Sequence, residues 1–198
     1  MKIGILAYGS LIDNPDVEIE AATTEVTRGV QTPFPVEFAR SSSTRGGAPT
    51  LVPVNEGGAN VSAIIYRVAT DEQTAADILY RREIHKVGED RRYKEPAQHK
   101  RGVVRIEKLD RFEGYDLVLS TRIDANIVPL TASRLADLAI ASVTTAVKGK
   151  DGISYLIAAK ANGIATALSP AYEAELLARL NAGTLDAALE AARNAKKG

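Results

Sequence analysis

Over the first two-thirds of the chain, apolar positions come in short β-branched or alternating runs. These are KIGILAY, PFPVEFAR, PTLVPV, NVSAIIYRV, GVVRIEKL and YDLVLSTRI, set apart by Gly, Pro and Asn. Runs of this length bounded by turn residues predict strands. One stretch departs from the pattern: ATDEQTAADILYRREIHK predicts a helix over about 71–85. Thr70 stands three residues ahead of Gln73, the spacing of a capping box, and Asp71 and Glu72 suit the positive end of a helix. From about residue 131 the texture turns Ala- and Leu-rich. Thr131 or Ser133, Ser169 followed by Pro170, and Thr184 predict helix starts, while Gly149, Asn162-Gly163 and Gly183 predict stops. Strands first and helices afterwards predict an α+β fold. IDANIVPLTAS near residue 127 is the expected seam between a β-rich domain, 1–126, and a helical extension, 127–198, packed on it.

The predicted helix over 71–85 carries the first candidate chemistry. Ala75, Ala76, Leu79 and Glu83 recur at spacings of three and four, so a small apolar stripe ends in a carboxylate. Asp77, Arg81 and His85 are expected elsewhere around the helix. Burial disfavours a carboxylate's charged form and raises its pKa, which is how a Glu becomes an acid or base near neutral pH. The commoner fate of such a Glu is an ion pair at the rim of the stripe, here with Arg82 or a strand arginine.

Composition narrows the partners. The 198 residues, 45% hydrophobic, suffice for a single core with a helical appendage. With 25 basic and 25 acidic residues the formal net charge is zero, so no global field favours nucleic acid or an anionic membrane. A small molecule is the default partner. There is no Cys, and the two histidines are His85 and His99, which leaves no thiolate chemistry, no disulfide and no ordinary zinc site. No metal or cofactor is expected. MKIGILAYGS reads as a strand without a cleavage signal, and apolar runs are short, so a cytoplasmic location without a membrane span is expected.

The first strand ends on Tyr8-Gly9-Ser10. Successive backbone N–H groups at a sharp turn make a small concavity suited to a carboxylate or developing oxyanion, and Gly admits close approach. An ordinary strand-ending turn, completed by Asp13-Asn14-Pro15, explains the same residues.

AYGSL at 7–11, followed some seventy residues later by LYRRE ending at Glu83, resembles the γ-glutamylcyclotransferase superfamily, with its Tyr-Gly-Ser loop and distant single Glu. ARSSSTRGGAPTLVPVNEGGANVSAIIYRV and LYRREIHKVGEDRRYKEP are similar to corresponding stretches of its glutathione-specific, ChaC-like branch. Tyr80 stands where that branch has Trp, and Tyr93-Lys94-Glu95-Pro96 follows a longer gap. The likeness spans about residues 3–122. It implies a small, mostly antiparallel β-barrel flanked by helices. It further implies that Tyr8, Gly9, Ser10 and Leu11 form the substrate-carboxylate loop, that Tyr93 contacts substrate and that Glu83 is the general acid/base. The implied reaction closes a γ-glutamyl group to 5-oxoproline and releases an amine or amino acid, with no cofactor.

Other chemistries fit less well. A serine hydrolase needs a base for Ser10, yet no G-x-S-x-G elbow occurs and His85 and His99 have no evident acidic partner. RGG and NEGG lie between strands, where turns account for them, and no Walker spacing occurs. QHKRG at 98–102 reads as a solvated turn. The rival of a different class is a non-catalytic member of the same fold that binds a small molecule, or that uses AYEAELLARLNAGTLDAALEAAR for a partner; packing onto the barrel is the plainer use of that helical spacing.

Overall fold

The computed structural model describes residues 1–98 and 100–195. His99 lies outside them. The fold is α+β, and the described residues divide into two compact units, one from 1–33 with 62–124 and the other from 34–61 with 125–195. The expected seam near 127 is thus close to one of three crossings, and the segment 34–61 groups with the C-terminal helices rather than with the first unit.

The first unit holds a five-stranded sheet. Its strands are β1 (Ile3–Ala7), β2 (Thr23–Gln31), β5 (Ser62–Val68), β6 (Arg105–Asp110) and β7 (Leu117–Arg122), in the order β2-β5-β1-β7-β6. β1 runs antiparallel to β5 and parallel to β7. All five residues of β1 are buried, as a central strand read from a continuous apolar run should be. Gly4 is required there: a Cβ would lie 2.4 Å from Ile65 Cγ2 and 3.0 Å from Tyr115 Cδ1. β2 and β6 are the ends of this strand order, so the pairing among the described residues shows a mixed sheet and no closed barrel.

Three helices belong to this unit: α1 (Ser10–Asp13), α2 (Val17–Ala22) and α3 (Glu72–Glu83). The core joins Ile3, Ile5 and Ala7 of β1 to Ile64, Tyr66 and Val68 of β5 and to Ala75, Ala76, Ile78 and Leu79 of α3. The cap of α3 is Asp71, not Thr70; its carboxylate accepts from Thr74 N at 2.9 Å and Thr74 Oγ1 at 2.8 Å. Asp71 holds the capping position because its backbone is extended there and its carboxylate reaches the third helical amide. The helix stops at Glu83, and His85, two residues on, has φ +57.

In the second unit β3 (Val36–Ser42) and β4 (Ala48–Pro53) form a two-stranded sheet, joined through a short 3-10 turn, Ser43–Arg45, that contains the start of RGG, and Val36 makes a further antiparallel bridge to Ala59. Helices α4 (Ala132–Thr145), α5 (Gly152–Ala161), α6 (Ser169–Arg179) and α7 (Leu185–Asn194) complete it. Thr131 and Thr184 cap as expected, and Asn162 with left-handed Gly163 ends α5. Glu37 is fully buried, its carboxylate accepting from Thr166 Oγ1 at 2.6 Å, Phe38 N at 2.8 Å and Leu168 N at 3.0 Å. It ties β3 to the start of α6.

Candidate functional site

The first unit positions every candidate residue. β1 delivers the chain into Tyr8-Gly9-Ser10, and Gly9 takes φ 59, ψ −135, a conformation that glycine alone adopts cheaply. The turn then becomes α1, with Ile12 N donating to the Gly9 carbonyl at 3.1 Å. Tyr8 and Ser10 are half-buried. Leu11 is buried at 5% exposure, and its side chain packs within the core. Tyr66 of β5 fixes this turn from below: its hydroxyl donates to the Ile12 carbonyl at 2.7 Å and the Leu11 carbonyl at 3.3 Å. Burial holds that phenol above its ordinary range, with the Arg28 guanidinium opposing.

The end of α3 comes to the same place. Ala75, Ala76 and Leu79 are buried as the stripe requires, while the Glu83 side chain keeps 21% exposure at its rim. Arg82 is the connection. Its guanidinium donates to Glu83 Oε1 at 2.7 Å, to Ser10 Oγ at 3.3 Å and to the Asn14 carbonyl at 3.0 and 3.3 Å. The ion pair weighed against a catalytic Glu83 is therefore present, and the same cation gathers the turn after β1. The stretches AYGSL and LYRRE meet around one guanidinium; the sequence offers Arg82 as a partner for Glu83, while its bonds to Ser10 and Asn14 leave no signal in the spacing.

Tyr93 is held elsewhere. Its N–H donates to Asp77 Oδ1 at 2.7 Å, its carbonyl accepts from Gln73 Nε2 at 3.1 Å, and its hydroxyl accepts from Ile106 N at 3.1 Å. Its ring tilts against Tyr80 at 5.5 Å. Asp77, expected away from the core face, is 8% exposed because the segment after the helix folds back over it. Arg81 works with it, pairing with Glu18 of α2 at 2.8 Å and donating to the Arg91 carbonyl at 2.9 Å. Tyr93 lines a cleft of about 770 Å³ bounded by the first turns of α3, by residues between Tyr93 and Gln98, and by β6. Glu83 and Tyr8–Leu11 do not line it. Glu72, at its wall, lies about 16 Å from Glu83 along the α3 axis at 1.5 Å per residue.

Among the described residues no group of three or more His, Asp or Glu side chains is arranged to hold a metal ion, and no helix is long and apolar enough to cross a membrane. A scan against protein-family models and a search of curated proteins each found no match to this chain.

Proposed function

We propose that this protein is a γ-glutamylcyclotransferase-like enzyme of the cytoplasm, acting on a small γ-glutamyl compound without a cofactor and without a nucleic-acid or membrane partner. The observation that carries the proposal is the Arg82 guanidinium, which bonds both Glu83 and Ser10 across 72 residues of sequence. The resemblance puts its substrate-carboxylate loop in one of those stretches and its general acid/base in the other. The superfamily's barrel plan forms part of the same proposal.

In the proposed reaction the substrate's α-amine attacks its own γ-carbonyl. The new N–C bond closes the five-membered lactam, the original amide C–N bond breaks, and the amine or amino acid departs. Glu83 takes a proton from the α-ammonium and returns one to the leaving nitrogen, a contribution of roughly 10²–10⁴-fold. The turn at Gly9-Ser10 holds the α-carboxylate, and Arg82 adds a cation to that end, so the amine is folded onto the carbonyl before reaction. The attacking group is the substrate's own, so no enzyme nucleophile is needed.

Kinetics of two variants test the assignment. Glu83→Gln should fold and lose 5-oxoproline release, whereas Ser10→Ala should lower it only modestly if backbone amides do the holding. Failure of Glu83→Gln to fold, with Ser10→Ala fully active, would assign Glu83 to the ion pair instead. A second reading draws on the cleft: it is large, it is lined by Tyr93 and not by Glu83, and it suits a non-catalytic small-molecule-binding member of the same fold.

A further inference from the structure

The cleft has a feature that ordinary side-chain pockets lack. Consecutive residues of β6, from Arg105 to Leu109, all border it. Side chains on a strand alternate between faces, so one face could supply only every second residue. The cleft therefore runs along the edge of the strand, where the backbone is exposed.

Register identifies the open groups. β6 is the last strand of the sheet, and Ile106 N donates to Tyr93 OH, so Ile106 turns its amide away from β7. Residues whose amides face β7 alternate with those that do not, and Arg111 N bonding Asp116 O on the β7 side agrees with that phase. The N–H and C=O of Lys108 consequently point outward, and neither bonds any other group among the described residues. The opposite wall is already fixed, because Asp77 and Gln73 grip Tyr93 and Arg81 grips Arg91. Ala76, Ile106 and Leu119, all buried, give the slot an apolar floor. Its volume lies within the ordinary range for ligand sites.

Charge orients an occupant. Arg105 borders the slot; its side chain is 31% exposed and pairs with Asp124 at 3.8 Å, while its Nε is buried without a hydrogen bond. A buried N–H without a hydrogen bond is costly, and on a guanidinium whose ion pair is this long a carboxylate is the fitting acceptor. Lys108 reaches across to Glu72 at 2.5 Å, and a charged edge residue of this kind discourages pairing with a second copy of the chain.

We propose that this slot binds a short extended peptide as an added strand, antiparallel to β6, with one residue exchanging backbone hydrogen bonds with Lys108 and the C-terminal carboxylate on Arg105. The site is independent of the Glu83 assignment and stands or falls without it. Backbone bonds supply affinity, as in other strand-addition sites, and the Arg105 contact selects a free carboxyl end.

The test is a ¹⁵N–¹H titration of the whole protein with N-acetyl tripeptides randomised at every position, supplied as free acids and as amides. The Lys108 amide should shift and its hydrogen exchange should slow at least tenfold with the acids. Arg105→Gln should weaken the acids about tenfold and leave the amides unchanged. Lys108→Pro, which removes the outward N–H of an edge residue, should abolish the shifts. Any of four results would overturn the proposal: no movement at Lys108 with millimolar peptide, equal affinity for acids and amides, shifts centred on Ser10 and Glu83, or Lys108 protection without peptide that tracks dimer formation. If Lys108→Pro does not fold, Arg105→Gln alone decides.

Discussion

If Arg82 joins the turn after β1 to the end of α3, removing it should cost more than one surface ion pair. In Arg82→Met the methylenes keep their packing, but the bonds to Glu83, Ser10 and the Asn14 carbonyl are lost together. Exposed pairs are worth about 0–1 kcal/mol and breaking fully buried ones costs about 3–5 kcal/mol. Side chains at 13% and 21% exposure lie between, so a loss of roughly 2 kcal/mol is expected. Urea unfolding gives the number, provided the slope against denaturant is unchanged. Glu83→Gln is the other arm of a double-mutant cycle. The two variants should couple by about 1 kcal/mol or more, since once either partner is gone the second loss matters less. Additivity within about 0.4 kcal/mol would refute the connection.

Three further outcomes follow from the packing. Gly4→Ala forces a methyl to within 2.4 Å of Ile65 Cγ2 in the middle of the sheet, so melting should show a loss of about 1–3 kcal/mol, and an unchanged Tm would mean that Ile65 and Tyr115 yield freely. Glu37→Gln puts an amide donor where a buried carboxylate accepts three bonds, so stability should fall by about 1.5–3 kcal/mol; a neutral result in urea titration would show that β3 does not depend on that tie. Asp71 has its carboxyl held below the ordinary range chiefly by the Thr74 amide. A depressed folded pKa gives stability above the unfolded pKa and loses it as pH falls through the folded one. The Tm gap between the wild type and Asp71→Ala should accordingly shrink on acidification below the normal Asp range, and a gap that widens would reverse the sign.

Six of the seven strands among the described residues were legible because each is an apolar run bounded by turn residues. β2, TTEVTRGVQ, was not, since as an exposed edge it needs no apolar stripe, and only Val30 along it is buried. α1 and α2 were missed for a related reason: at four and six residues they show no helical period, and each buries one residue, Leu11 and Ile19. The stripe on α3 placed Glu83 correctly at the end of a buried face, and Arg82 was named as a partner. The burial of Asp77 and Glu37 could not be read from periodicity. Asp77 is covered by a segment that follows its helix, and Glu37 by one more than a hundred residues away, and both are satisfied by backbone amides that no pattern of side chains reveals. Leu11 belonged to the expected carboxylate loop by resemblance, but its neighbours in space are core residues.

The central claim is that Glu83 and the Gly9-Ser10 turn cyclise a γ-glutamyl group. Its most direct test is mass-spectrometric measurement of 5-oxoproline and released amine from glutathione, γ-glutamyl dipeptides and γ-glutamyl amines incubated with the purified protein. The account predicts equimolar appearance of both products from at least one of them, absent with Glu83→Gln. Intact substrate across the whole panel, with a folded wild-type protein, would contradict it.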